Sequence, residues 1–366
     1  AAYNWSRVRN KKLEDMGLKQ SIHDSCMFYT PDVAPGDPKF LMHIVHVDDS
    51  ITVGHKEARN AFMNELGTAF KIERINDEYY LGAKITMGAD YVKLDQSVYF
   101  TRMLKTFGME DCNACAIPMP HGAVFTKGTE DTTVEDNLRP LIGALRYGCI
   151  TRPDICTAVG IISRHSNAPT KEVVAASKQI LRYIKGTLQY GLIYKRTKEV
   201  DVHGYVDANL AGDINDRRST TGYAFYLNGA SNPVTFHSGI QSCVATSTCH
   251  AEYMAAYKAG IMAVHLRGIL LELGITFTNS MEIYEDNSAA IMLSENPVLH
   301  KTTMHFAVKY YWIREQVERG IFKLIKVETA NQVADALSKP LAAPLYKKFV
   351  HCLACDSAKN VPVHHE

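Results

Sequence analysis

From residue 201 onward the chain follows one order of elements, and that order constrains its fold more than anything else in it. "VDVHGYVDA", "TTGYAFYLNG" and "NPVTFHSG" are three short runs of alternating apolar pattern, the mark of half-buried strands. A helical pattern follows over 250–273, then a strand "MEIYED" and the helices "NSAAIMLSEN" and "HFAVKYYWIREQVERG". A strand "IFKLIKVE" and a helix "NQVADALSK" close the series. Strand, strand, strand, helix, strand, helix, helix, strand, helix predicts an α/β layer on a mixed sheet.

Four acids of this unit fall at element ends or on an inward helix face. Asp207 lies in the first strand, after the alternating His203 and Tyr205. Glu252 is placed in the first turn of the long helix, behind the cap-rich "TSTCH". Asp286 ends the fourth strand just before Asn287, and Asp335 sits among Val333, Ala334 and Leu337 in the last helix. Any single acid has an ordinary explanation as a cap or a helix-dipole partner. A carboxylate facing the core, as Asp335 does by this pattern, is costly without a partner. Four carboxylates within about 5 Å of one another would repel by about 3 kcal/mol per pair at an effective dielectric near 20. Such a cluster needs raised pKa values or bound cations. Four negative charges match two divalent ions, which activate water and stabilise a departing oxygen in phosphodiester cleavage. Oxygen donors without cysteine select Mg²⁺ or Mn²⁺ over zinc.

The same residues carry a family resemblance. "GYVDANLAGDINDRRSTTGYAFYL", "TSTCHAEYMAAYKAG", "IYEDNSAAIMLSENPVLH" and "NQVADALSKPL" closely resemble the ribonuclease H domain of copia-type LTR retrotransposon polyproteins. The Asp, Glu, Asp, Asp order of that family's two-metal site falls on Asp207, Glu252, Asp286 and Asp335. "RPLIGALRYGCITRPDICTAVGIISRHSNAPT" and "ILRYIKGTLQYGLIY" resemble the connection before that domain. "HVDDSITVG", "YLGAKITM" and "QSVYFTRMLKTFGM" resemble the palm and thumb of the reverse transcriptase from the same polyprotein. The fold this implies is α/β and α+β: a reverse transcriptase palm and thumb remnant followed by a ribonuclease H-like mixed-sheet domain. The implied activity is hydrolysis of the RNA strand of an RNA/DNA hybrid with two Mg²⁺ or Mn²⁺ ions and no organic cofactor. The implied products carry 3′-hydroxyl and 5′-phosphate ends, and the implied partners are that hybrid and the rest of the Pol polyprotein.

The chain departs from the family at several points. His46 precedes Val47-Asp48-Asp49 where the family has tyrosine, and Leu210 stands where it has tryptophan. Where the family reads Lys-His-Ile-Asp, this chain reads Met304-His305-Phe306-Ala307. By resemblance His305 would ease product release or proton transfer; the other reading is an ordinary histidine at a helix start. These substitutions keep a second reading open, a non-catalytic nucleic-acid-binding relic of a decayed retroelement. An unrelated metal phosphatase on a similar layer is a third.

Asp48 and Asp49 sit in "HIVHVDDSITVG", between Ile44, Val45 and Val47 on one side and Ile51 and Val53 on the other. Acids at a hairpin tip suit a polymerase palm, which needs a further Asp from an earlier strand; similar polyproteins carry it upstream of this stretch. The expectation is that this chain alone does not polymerise DNA.

Between Arg146 and Lys198 ten Lys/Arg face two acids, Asp154 and Glu172, while the whole chain carries only +1. The local excess marks either a polyanion-facing surface or a solvated helix face. The first reading assigns nucleic-acid contacts to Arg146, Arg152, Arg164, Lys178, Arg182 and Lys185. Nine scattered cysteines fit a reducing compartment. The pairs Cys112/Cys115 and Cys352/Cys355 read as buried thiols in preference to a zinc site. No unbroken run of 18 apolar residues occurs, so no membrane association is expected. The N-terminus has neither a signal-peptide pattern nor an initiator Met, from which the chain is expected to be a piece of something longer. Thiols and resemblance together imply a cytoplasmic virus-like particle, with nuclear transit. The expected domains are a truncated palm and thumb over 1–120, a helical thumb and connection over 121–200, the ribonuclease H-like domain over 201–342 and a tail over 343–366.

Overall fold

A computed structural model describes residues 2–73, 78–197, 200–227, 232–295 and 307–356. The chain divides into two compact units, Ala1–Leu81 with Met262–Thr278, and Gly82–Ile261 with Asn279–Glu366.

In the first unit, helix α1 (Ala2–Asp15) ends at Gly17, whose φ of 86° is left-handed and suits glycine. Strands β1 (Lys19–Gln20), β2 (Met27–Tyr29), β3 (Leu41–His46) and β4 (Asp49–Gly54) form an antiparallel meander in that order. Leu41, His43 and Val45 alternate inward along β3, and helix α2 (Lys56–Ala69) supplies Phe62 and Leu66 to the same core. Strand β5 (Tyr79–Tyr80) ends this stretch. Within the unit, Glu272 accepts hydrogen bonds from the Ser21 hydroxyl and, at 2.9 Å, from the Ile22 amide.

The second unit begins with β6 (Ala83–Met87) and β7 (Tyr91–Asp95), an antiparallel pair to which β8 (Leu192–Lys195) adds beside β7. Between them lie α3 (Ser97–Thr106), α4 (Arg139–Gly148), α5 (Cys156–Ser163) and α6 (Lys171–Gly186), with breaks at "TRPD" and "SNAPT". The mixed sheet follows: β9 (Val202–Asn209), β10 (Thr220–Leu227) and β11 (Thr235–Ile240), then helix α7 (Thr248–Glu272) and β12 (Met281–Glu285). Helices α8 (Ser288–Glu295) and α9 (Ala307–Glu318), strand β13 (Phe322–Lys326), and helices α10 (Asp335–Ser338) and α11 (Ala343–Leu353) complete it. Spatial order is β11-β10-β9-β12-β13, with β9, β10 and β11 antiparallel and β12 parallel to both β9 and β13. The element order read from the sequence thus produces the mixed-sheet α/β layer.

Helix α7 has the length and mean hydropathy of a membrane span. In this unit it is a core helix: Ala251, Ala255, Ala256 and Ala259 are fully buried, and alanine lets a helix approach a sheet closely.

A single apolar cluster joins Phe100, Leu145, Val159, Ile180 and Ile184 of the helical stretch to Ala224 and Tyr226 of the sheet and Leu337, Phe349 and Leu353 beyond it. The stretch expected as a tail from 343 therefore starts as a packed helix. Tyr346, Phe349, Val350 and Leu353 recur at three- and four-residue spacing, one buried face.

Arg152 corrects a sequence expectation. It was placed on a surface, yet it is 0% exposed. Its guanidinium grips Asp154 bidentately at 2.9 and 2.8 Å, donates to the Thr187 carbonyl at 2.9 Å and lies over the Phe100, Tyr183 and Tyr190 rings. The Tyr183 hydroxyl donates to Asp154 at 2.7 Å. Residue counting saw a charge and could not see that Asp154, two positions away, satisfies it.

Candidate active site

Alternation along β9 puts His203, Tyr205 and Asp207 on one face. Its parallel partner β12 is registered with Tyr284 opposite Tyr205, so Asp286, just past the strand end, comes level with Asp207. Glu252 comes from helix α7. Because α7 starts at Thr248, Glu252 opens its second turn, one turn later than the sequence suggests.

Carboxylate oxygens of Asp207, Glu252 and Asp286 lie within 4.8 Å of one another. Asp207 and Glu252 are 2% and 6% exposed, whereas Asp286 stands at the rim. Asp207 and Asp286 are held from behind. The Ser338 hydroxyl donates to Asp207 Oδ2, and Thr329 Oγ1 donates to Asp286 Oδ2 at 2.8 Å. Lys326 adds its ammonium to the Asp286 carbonyl.

Asp335 comes from the first residue of α10. That helix reaches the sheet because Gly222, paired with Asp207 across β10, has no side chain; a Cβ there would sit 2.7 Å from the Ala334 carbonyl oxygen. Thr157 of α5 adds a hydrogen bond to the Ala336 carbonyl at 2.7 Å. Asp335 is 3% exposed and is engaged by Lys339 at 2.7 Å, whose ammonium also lies 3.5 Å from Asp207 Oδ2. The structure thus brings three of the four acids into one mutual cluster and sets the fourth beside Asp207, on a lysine.

Burial pushes the Glu252 carboxyl up to about 11, with the charges of Glu285, Asp207 and Asp286 adding to it. Burial likewise raises Asp335 to about 7, aided by Asp207 and opposed by Lys339. For Lys339, burial works against the ammonium, but Asp207 and Asp335 outweigh it and the pKa rises.

Glu285 was missed at the level of sequence. It is 0% exposed, its Oε1 accepts the Asn287 amide at 2.9 Å, and its Oε2 has no hydrogen-bond partner among the described residues. Burial raises its pKa well above the ordinary value, with Asp207 and Asp286 adding to the effect. The signal was available: in β12 the buried positions alternate as Met281, Ile283, Glu285. Ser338 and Lys339 were missed too, since neither stands out until α10 is docked.

His305 lies outside the described residues. Of the basic residues proposed as nucleic-acid contacts, Arg146, Lys178 and Arg182 are exposed. Arg164 pairs with Asp213 at 3.2 Å and donates to Thr220 at 3.0 Å. Arg182 and Lys185 donate to the carbonyls of Asn113 and Glu110.

In the first unit, β3 and β4 pair His46 with Asp49 across a two-residue loop, Val47-Asp48. Val47 has φ of 57°, the positive first-position angle of a type II′ turn, where glycine is the favoured residue. Its carbonyl accepts Trp5 Nε1 at 3.1 Å and Arg9 Nη1 at 2.9 Å, which hold the strained turn. Asp48 and Asp49 are both exposed at this tip.

Comparison with known proteins places these features in context. A family model described as reverse transcriptase (RNA-dependent DNA polymerase) matches residues 1–121. The Retrovirus-related Pol polyprotein from transposon TNT 1-94 of Nicotiana tabacum is 34% identical over 93% of this chain and 26% of its own length. That from transposon RE1 of Arabidopsis thaliana is 32% identical over 94% of this chain and 23% of its own. The chain therefore spans about a quarter of the length of these relatives. Among solved structures, LC11-RNase H1 isolated from compost is 18% identical, covering 38% of this chain and 92% of its own, at a TM-score of 0.30. The foamy viral protease-reverse transcriptase in complex with dsDNA is 13% identical, covering 78% of this chain and 55% of its own, at 0.27.

Proposed function

This chain belongs to the Pol polyproteins of copia-type LTR retrotransposons, and we propose that its second unit is their ribonuclease H, cleaving the RNA strand of RNA/DNA hybrids. The observation that carries the reading is the triad of buried Asp207 and Glu252 with half-buried Asp286, their oxygens within 4.8 Å of one another.

The donor set fits divalent cations. All three ligands are hard carboxylate oxygens, which suit Mg²⁺ or Mn²⁺. Glu252 Oε2 and Glu285 Oε2 are buried without a hydrogen-bond partner among the described residues, and buried acceptors normally have one. Asp207, Glu252 and Asp286 would hold the metal, with Asp335 beside them. Bound there, divalent ions supply water activation and neutralise charge on the departing oxygen.

The chain's own groups do the rest. Strand ends fix Asp207 and Asp286; Ser338 and Thr329 fix their carboxylate rotamers. An A-form hybrid would be read by its backbone and 2′-hydroxyls, without base-edge contacts. Arg146 and Lys178, exposed on α4 and α6, are suited to phosphate contacts whose strength falls as salt rises. His305 keeps the proton-transfer or product-release role that its motif implies. At the hairpin tip Asp48 and Asp49 make up part of a polymerase site, and the remaining acid would come from the rest of the polyprotein. Primer extension on an RNA template by this chain alone, lost in Asp48→Asn, would contradict that.

Labelled RNA/DNA hybrid incubated with Mg²⁺ tests the nuclease. We expect cleavage of the RNA strand, reduced at least about 100-fold in Asp286→Asn, the scale of losing one charge-stabilising group. Hybrid bound but uncut by both proteins would establish the non-catalytic relic instead.

A further inference from the structure

Lys339 is the one basic side chain among the described residues that ion-pairs with acids of the catalytic set, touching Asp335 at 2.7 Å and Asp207 at 3.5 Å. Its position is built into the chain. Pro340 follows it, and a residue before proline avoids helical angles. Lys339 accordingly leaves α10 extended, at φ −148° and ψ 152°, while its amide still donates to the Asp335 carbonyl at 3.0 Å. That turn sends the side chain back over the carboxylate four residues earlier. Helix α10 is itself fixed, by the Thr157 hydrogen bond and by its close approach to Gly222.

The consequence is a split within the acids. Of Asp207, Glu252 and Asp286, only Asp207 ion-pairs with a basic side chain among the described residues, at 3.5 Å, and Glu252 Oε2 is buried without a partner among them. Asp335, by contrast, already has its positive charge. Its side chain is 4% exposed and that of Asp207 is 2%, so water contributes little to neutralising either. A divalent ion shared by Asp207 and Asp335 would need the space that the ammonium fills.

Resting on the nuclease reading above, we propose that the Lys339 ammonium takes one of the two cation positions of this site. The chain then binds a single divalent ion, among Asp207, Glu252 and Asp286, where four acids alone would hold two. Lys339 is a binding determinant that sets metal stoichiometry. Removing its charge opens the Asp207–Asp335 position.

Calorimetric titration of the whole chain with Mn²⁺, without nucleic acid, reads this directly. The expected result is one Mn²⁺ per wild-type chain and two per Lys339→Met chain. Two ions on the wild type, or one on both proteins, would overturn the lysine proposal and leave the nuclease reading standing. No ion on either would overturn both. Anomalous scattering from wild-type crystals soaked in Mn²⁺ keeps the question open to refutation if Lys339→Met does not fold. One peak with Lys339 still on Asp335 supports the proposal; two peaks with Lys339 displaced overturn it.

Discussion

The hairpin tip carrying Asp48 and Asp49 and the cluster of Asp207, Glu252 and Asp286 use the same chemical group under opposite conditions. At the tip both acids are exposed, and strain is carried by the backbone, at Val47 with its positive φ. In the cluster the backbone is regular and the strain is electrostatic, because carboxylates are packed within 4.8 Å of one another and mostly out of water. An acid at a tip is tolerated by solvation alone. An acid in a sheet needs a partner, a proton or a metal.

The sharpest way to break this contrast is to take a buried acid whose partner is known. Asp154→Asn leaves the Arg152 guanidinium buried without its counter-ion. A loss of about 3–5 kcal/mol in urea denaturation is expected. A loss near that of a surface change would mean that burial does not govern these acids.

Divalent ions should act on one region only. If they bind the folded cluster and not the unfolded chain, a concentration about 100 times the dissociation constant stabilises by about 2.7 kcal/mol. Thermal unfolding with Mn²⁺ and with chelator should differ accordingly, and Asp286→Asn should remove the difference.

With chelator present, pH separates the two regions further. Glu252 holds its proton to about 11 in the folded chain but releases it near 4.5 when unfolded. The native state therefore binds the extra proton in that window, and stability falls as pH rises through it, by up to about 1.4 kcal/mol per pH unit for one group. Asp335 acts in the same direction between 3.8 and about 7. Denaturation from about pH 5 to about pH 8 should show this slope, and Glu252→Gln should flatten it.

The smallest effect belongs to the tip. Asp48→Asn should change stability by no more than about 0.5 kcal/mol with or without Mn²⁺, measured the same way.

Much of this architecture was legible in the sequence. Period-two and period-3.6 apolar patterns report which face of a local element is buried, and they yielded the strand and helix order from β9 to α10. The same alternation was enough to expose Glu285, which shares a face with Met281 and Ile283, had it been applied to a charged residue as readily as to apolar ones. Motif spacing singled out Asp207, Glu252, Asp286 and Asp335, each standing at the end or on the inner face of its element.

Tertiary structure alone decided which charge answers which. Arg152 reads as surface until the helices close around it and Asp154. Asp335 reads as an equal member of a quartet until Lys339 folds back from Pro340, and the segment after 343 reads as a tail until α11 docks on the common core. Local patterns are set by the geometry of one element. Charge pairing and burial depend on distances between elements far apart in the chain, which no spacing along it records.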